Sequence, residues 1–150
     1  MLATIHHLFG RPSHLPAVAR LIYDEFWADK ESLGPADLEA LLRNARSTDK
    51  IPLSLVALAD GALAGTINLI ENDDDKRTHL RPWLAALVVR PEFRGRGIGS
   101  ELVRSLLGES RRLGLRTVYF GTDSPGFYAR LGATVHERVN AEFFIMKFSG

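Results

Sequence analysis

The sequence contains no cysteine. That absence excludes disulfides, thiolate metal sites and a covalent cysteine nucleophile, and it is compatible with a reducing compartment. No apolar run reaches the roughly 18 residues that a membrane span needs, so no membrane partner is expected. The first residues, Met1-Leu2-Ala3-Thr4-Ile5-His6-His7, place no basic segment ahead of an apolar one. No secretory leader is read there, and the cytoplasm is the expected location. An excess of one charge is missing too: 19 Lys and Arg face 18 Asp and Glu, a formal net charge of +1. Nucleic-acid binders usually carry a clear basic excess, so no nucleic-acid partner is expected, although a local basic patch remains open. The histidines show no metal-like spacing with acids, and no metal is assigned. Neither a repeat nor a low-complexity tract divides residues 1–150, which are read as one domain able to bury a sizeable core.

What is present is an alternation of short apolar strands and amphipathic helices. Residues 3–9 lean towards strand. Leu15, Val18, Ile22 and Phe26 form one helical stripe running to about Trp27, with Ser13 as the expected N-cap. Pro35 opens a second helix striped by Leu38, Leu41, Leu42 and Ala45, and residues 46–50 read as a loop. Asp60-Gly61 separates the apolar runs 53–59 and 62–70, a strong hairpin signal because a type I′ turn needs two residues at positive φ. Residues 71–81 are polar, with Asp73-Asp74-Asp75 at their centre, and predict an exposed connection. Residues 83–89 are apolar on both faces and predict a central strand. A helix follows from Ile98 to about Leu113, with Gly114 at its end, then a strand over 116–120, a short helix over 124–131 and a final hairpin of 135–139 with 142–148. The order β, α, α, β, β, β, α, β, α, β, β implies an α/β fold on a mixed sheet, not a fully parallel one.

The most informative stretch is Leu87-Val88-Val89-Arg90-Pro91-Glu92-Phe93-Arg94-Gly95-Arg96-Gly97-Ile98-Gly99-Ser100. A buried strand feeding a loop of free N–H groups at a helix N-terminus is an anion cradle. Gly95, Gly97 and Gly99 do not make the G-x-G-x-x-G dinucleotide fingerprint, and no Gly-Lys-Ser/Thr of a Walker loop is present. A purely structural glycine turn stays open. Against it, glycines inside a helix start destabilise it by about 1 kcal/mol each, and close approach of a ligand would explain their presence. Arg90, Arg94, Arg96 and Arg104 concentrate positive charge on this segment of a near-neutral chain.

Arg94-Gly95-Arg96-Gly97-Ile98-Gly99 resembles the R/Q-x-x-G-x-G/A signature of the GCN5-related N-acetyltransferases (GNAT). Phe127-Tyr128-Ala129-Arg130-Leu131-Gly132-Ala133 resembles the tyrosine motif of the same family. The resemblance implies a mostly antiparallel sheet splayed between its fourth and fifth strands, flanked by helices, with acetyl-CoA in the splay. It implies that the backbone of Arg94, Gly95, Arg96, Gly97, Ile98, Gly99 and Ser100 holds the diphosphate. A bulge around Leu87 and Val88 would free N–H groups of Leu87, Val88 and Val89 for the pantetheine and thioester. Tyr128 is the implied general acid for the leaving thiolate. Two departures stand out. Many members carry asparagine seven residues before this tyrosine, where Gly121 stands here, and Ser124 is a candidate to take over pantetheine contacts. Histone-type members place a glutamate base on the fourth strand, and residues 82–89 carry no acid. Trp83-Leu84 and the Thr122-Asp123…Phe127-Tyr128 lead-in are most similar to a branch that includes actin N-terminal acetyltransferases, a short resemblance that is compatible with an α-amine substrate.

The acceptor is expected to be a primary amine on a peptide or small molecule, and it must attack in its neutral form. At pH 7 an α-amine is about one-seventh neutral and a lysine about one in 2,500. Glu71 is the first candidate base, with His79 and Glu25 beside it; Trp27 and Trp83 are candidates to line the acceptor pocket. The expected activity is therefore acetyl-CoA-dependent N-acetyl transfer by direct attack in a ternary complex. The alternative is a non-catalytic acyl-CoA-binding or interaction domain. A homodimer is compatible with the sequence and not determined by it.

Overall fold

A computed structural model describes residues 3–149; Met1, Leu2 and Gly150, the outer bounds of the expected domain, lie outside the described residues. The strands are β1 (Ala3–His7), β2 (Leu53–Ala59), β3 (Ala62–Ile70), β4 (Trp83–Val89), β5 (Thr117–Thr122), β6 (Thr134–Arg138) and β7 (Phe144–Ser149). The helices are α1 (Leu15–Phe26), α2 (Pro35–Leu42), α3 (Ile98–Arg112) and α4 (Pro125–Ala129). One seven-stranded sheet runs in the order β1-β2-β3-β4-β5-β7-β6. Every pairing is antiparallel except β4 with β5, so the expected mixed, mostly antiparallel sheet is what forms.

The local signals act as their chemistry requires. Asp60 and Gly61 take φ of 51° and 81° and close the β2–β3 hairpin. Gly34 precedes α2 and donates its N–H to Asp37 Oδ2 at 2.8 Å, satisfying one orphan donor of the helix start. At α1 the expectation of a Ser13 cap is corrected: Pro12–His14 forms a 3₁₀ turn, and no side chain caps the helix. The first strand likewise ends at His7, because Leu8–Gly10 turns away as a 3₁₀ segment.

Two apolar layers sandwich the sheet. On one face Val18, Ala19 and Ile22 of α1 and Leu38 and Leu42 of α2 bury Val56, Leu58 and Val88. On the other, Ile98, Leu102, Val103 and Leu106 of α3 cover Leu55, Ile67, Leu69, Leu84, Val118 and Phe120. The strands β2 and β3 are covered on both faces, which explains why their sequences run apolar without alternation. Gly65 is buried where the chain leaves no room: a Cβ there would stand 2.8 Å from the Val88 carbonyl oxygen and 3.2 Å from Leu102 Cδ1. Among the described residues no helix is long and apolar enough to cross a membrane.

Replacing Gly65 with alanine therefore forces β3 and β4 apart at the strand that leads into the glycine loop. We expect G65A to lose about 1–3 kcal/mol of unfolding free energy in a urea titration, the usual range for overpacking a tight site.

Candidate active site

The glycine loop is built as a row of unclaimed donors. Gly95 and Gly97 adopt φ of 76° and 80°, and no atom stands within 4 Å of where a Cβ would project from either. Gly97 is the N-cap of α3, so Ile98, Gly99 and Ser100 fall in the first turn, where N–H groups have no intrahelical acceptor. The Arg94 N–H goes to the Pro91 carbonyl and the Glu101 N–H to the Gly97 carbonyl. Among the described residues, none of the N–H groups from Gly95 to Ser100 between them is given to a protein acceptor. The side chain of Arg94 braces the loop: its Nε donates to the Val89 carbonyl at 2.9 Å, and its guanidinium lies 3.7 Å from Glu25 of α1. Arg96 extends over the Phe93 ring.

Beside this loop the sheet opens. A single parallel bridge, Trp83 opposite Tyr119, joins β4 to β5, with the Tyr119 N–H donating to the Pro82 carbonyl at 3.0 Å. Trp83 is fully buried and fixes that end, its indole N–H donating to the Leu80 carbonyl at 2.6 Å. Beyond the bridge the strands part. Here β4 also bulges: Thr66 pairs with Val88 and Asn68 with Ala85, so Ala86 and Leu87 together face Ile67. Ala86 sits at φ 52°, a left-handed conformation costing an L-residue about 1–2 kcal/mol. The bulge is thus centred one residue earlier than expected.

A cavity of about 760 Å³ fills the opening. One side of its wall is β4 from Trp83 to Leu87; the other is Gly121 to Ser124 with Phe127 and Tyr128 of α4. Glu25, Phe26, Trp27 and Lys30 reach it from the end of α1, Asp73 and Asp74 from the β3–β4 connection, and Phe143 from the β6–β7 turn. Tyr128 packs its ring on Phe120 at 4.4 Å and Phe127 at 4.9 Å between centroids. Burial, and then the nearby Asp123 carboxylate, push its phenol up to about 12. It therefore stays a proton donor throughout the neutral range.

The expected site residues divide by where the chain carries them. Tyr128, Leu87 and Ser124 share the cavity with Glu25, Trp27 and Trp83. Ser124 is already engaged there, its N–H donating to Thr122 Oγ1 at 2.9 Å and its hydroxyl lying 3.2 Å from Asp123 Oδ1. Val88 points away, buried in the α1 layer, while Val89 pairs with Gly65 and gives its carbonyl to Arg94. Gly99 lies near the cavity, since a Cβ there would meet Phe127 Cζ at 3.5 Å. Glu71 and His79 are not among the cavity residues; Glu71 pairs instead with Arg81 at 2.5 Å, both largely exposed. Sequence reasoning missed Asp73, Asp123 and Phe143 as cavity walls. Only the acidic run at Asp73 signalled anything, and it reads equally as a solvated loop. Among the described residues no cluster of His, Asp and Glu is placed to hold a metal ion.

The sequence profile of the acetyltransferase (GNAT) family matches residues 19–133, from α1 to just beyond α4. The chain belongs to the GNAT acetyltransferase family. Its fold recurs across solved GNAT-type structures at low identity. An aminoglycoside 6′-N-acetyltransferase solved with coenzyme A superposes with a TM-score of 0.75 at 19% identity, over 97% of this chain and 96% of that one. The protein yncA of Salmonella typhimurium, solved with acetyl-CoA, gives 0.72 at 15% identity over 99% and 94%. The paiA N-acetyltransferase of Thermoplasma acidophilum, in complex with coenzyme A, gives 0.65 at 22% over the whole of both chains. One local sequence likeness is higher: 49% identity over 53 residues to the mycothiol acetyltransferase of Mycolicibacterium vanbaalenii. That match spans 35% of this GNAT chain and 16% of the length of that protein.

The phenol of Tyr128 is the group in this site whose titration can be followed directly. The chain has three tyrosines. In an absorbance titration of phenolate, the contribution lost on Tyr128→Phe should be one that ionises near pH 12, not near the usual 10. A difference spectrum centred at pH 10 would show the phenol to be solvated.

Proposed function

We propose that this chain is an acetyltransferase domain that moves an acetyl group from acetyl-CoA to a primary amine. The acceptor would be a peptide α-amine or a small-molecule amine, attacking directly while both substrates are bound. The observation that carries this reading is the convergence of Tyr128 and the bulged Leu87 on one cavity in the splay between β4 and β5. The coenzyme A and acetyl-CoA complexes of the similar structures support the identity of the donor.

The residues fit that donor. Six consecutive N–H groups from Gly95 to Ser100 at the start of α3 suit a diphosphate, with Arg94 and Arg96 adding charge and the helix dipole adding attraction. Leu87, displaced by the bulge, is proposed to offer its N–H to the thioester carbonyl; one such donor contributes about 3–4 kcal/mol to a transition state that carries an oxyanion. The amine nitrogen bonds to the acetyl carbon, the carbon–sulfur bond breaks, and the products are the N-acetylated amine and the free thiol. Of the three expected bases, Glu25 alone lines the cavity, so the amine proton is proposed to leave to Glu25, directly or through water. Tyr128 faces the departing sulfur. A phenol at about 12 holds its proton more tightly than a thiol near 8.5, so full transfer is uphill by about 3–4 pKa units. Its larger contribution is a hydrogen bond that strengthens as charge builds on sulfur, followed by protonation with solvent resupply.

Thiol release from acetyl-CoA over a panel of amines tests this. Turnover is expected with at least one amine, and Tyr128→Phe should lower kcat about 10²–10³-fold with acetyl-CoA affinity unchanged, the scale of a lost general acid. Tight acetyl-CoA binding with no release across peptide α-amines, lysines and small amines would instead identify a non-catalytic acyl-CoA-binding domain.

A further inference from the structure

Among the described residues one buried side-chain polar atom has no hydrogen-bond partner, and it is Asn68 Nδ2. Asn68 stands in β3 between Ile67 and Leu69, which belong to the α3 layer, so its side chain faces α1 and α2. It is 5% exposed. Ser54, its cross-strand partner on β2, is also buried, and the Ser54 hydroxyl donates to Asn68 Oδ1 at 2.5 Å. Thr66, the other buried polar side chain of β3, spends its hydroxyl proton on the Leu55 carbonyl at 2.8 Å. The two ends of a planar carboxamide point in different directions. With Oδ1 held by Ser54, Nδ2 is turned away from β2, and the strand on the other side of β3 is β4.

What stands on that side is the bulge. Asn68 pairs with Ala85, and the next two residues of β4, Ala86 and Leu87, together face Ile67. A bulge of this kind leaves main-chain groups of the extra residue out of the ladder. Ala86 packs in the α1–α2 layer, the side that Asn68 faces, and holds a φ of 52° that alanine does not favour. Strained backbone of this sort persists only where the surroundings over-determine it. A buried amide with a spare donor and a bulged strand with freed main-chain groups therefore lie on adjacent strands and on one face of the sheet. An apolar pair at 54 and 68 would suit the layer better, because a half-satisfied buried polar pair is costlier than none.

We propose that Asn68 is a positioning residue for acetyl transfer. Clamped by Ser54, its carboxamide donates through one buried water to a main-chain carbonyl freed at the bulge. That link holds Ala86 in its left-handed conformation and aims the Leu87 N–H at the thioester carbonyl. A water is the bridge because no protein acceptor lies within hydrogen-bond distance of Nδ2. Asn68 touches neither substrate: Ala85 and Ala86 line the cavity, and Asn68 is not among its residues. The role rests on the acetyl-transfer reading for its chemistry, but the geometry it sets belongs to the donor site and is independent of which amine attacks.

The test replaces the polar pair by apolar groups of similar shape, Ser54→Ala with Asn68→Leu. The urea midpoint of this double variant should equal or exceed that of the unmodified chain. Its kcat for thiol release should fall about tenfold, part of the roughly 10²–10³-fold that a whole oxyanion donor contributes. Coenzyme A affinity should stay within about twofold. The unmodified protein should bind acetyl-CoA more tightly than coenzyme A, through the Leu87 contact to the thioester oxygen, and the double variant should lose most of that preference. Adding Ala86→Gly, which removes the strain of a left-handed residue, should restore most of both kcat and preference. A merely structural pair predicts instead that stability and activity fall together, with no such rescue. Equal binding of acetyl-CoA and coenzyme A by the unmodified protein, an unchanged kcat and preference in the double variant, or a loss that Ala86→Gly leaves in place would each overturn the proposal. If the double variant does not fold, Ser54→Ala alone, which frees the amide to turn, must lower the same two quantities for the proposal to stand. Absence of thiol release from the unmodified protein with any amine would defeat the transfer reading, and the acetyl-CoA preference alone would then decide the role of Asn68.

Discussion

The structure depends on one incomplete pairing. β4 and β5 touch at a single bridge, Trp83 opposite Tyr119, and then separate. Most of a strand's stability in a sheet comes from satisfied main-chain groups and cross-strand packing, so an internal opening of this kind costs free energy wherever water or a ligand does not fill it. The fold concentrates rigidity around the opening. Trp83 is buried and hydrogen-bonded at the closed end, Phe120 and Phe148 stack beneath, and the α4 aromatics stand at the open end. The opening is thereby a fixed feature of the sheet and not a frayed edge. The strand order reinforces this, because β7 is inserted between β5 and β6 and gives β5 a full antiparallel partner on its other side.

Charge is unevenly distributed around that opening. The loop before α3 collects arginines, free N–H groups and the positive end of a 15-residue helix. The cavity wall carries the carboxylates of Glu25, Asp73, Asp74 and Asp123 beside its aromatic rings. A chain whose formal net charge is only +1 can do both, since the two populations cancel in the total. Glu25 and Arg94 meet where the regions join, 3.7 Å apart, linking α1 to the glycine loop.

Much of this was legible in sequence. The Asp60-Gly61 turn, the buried run of β4 and the helix opening at Ile98 each follow from a strong local rule, and each forms where that rule puts it. The glycine loop was legible because its signal is backbone freedom, which glycine encodes directly. The wall of the cavity was not. Nothing local marks Ala86 for a left-handed conformation, because alanine has no preference for it; the sheet on either side imposes it. Glu71 and His79 looked like candidates from their nearness in sequence to β4, yet a turn in the connection carries Asp73 and Asp74 to the cavity instead. Phe143 is separated from β5 by more than twenty residues and reaches Gly121 only through the β5–β7 register.

That last contact has a consequence for how the protein can change. Residue 121 has no side chain because the ring of Phe143 occupies its place, and Phe143 is held there by a turn in which Asn140 Oδ1 accepts the N–H groups of Glu142 and Phe143. The two positions are therefore not independent variables. A side chain at 121 is admissible only after the ring has moved, which the partly exposed Phe143 can do towards solvent. A substitution at either position is therefore read first at the other, and its effect on the cavity wall depends on which residue its partner carries.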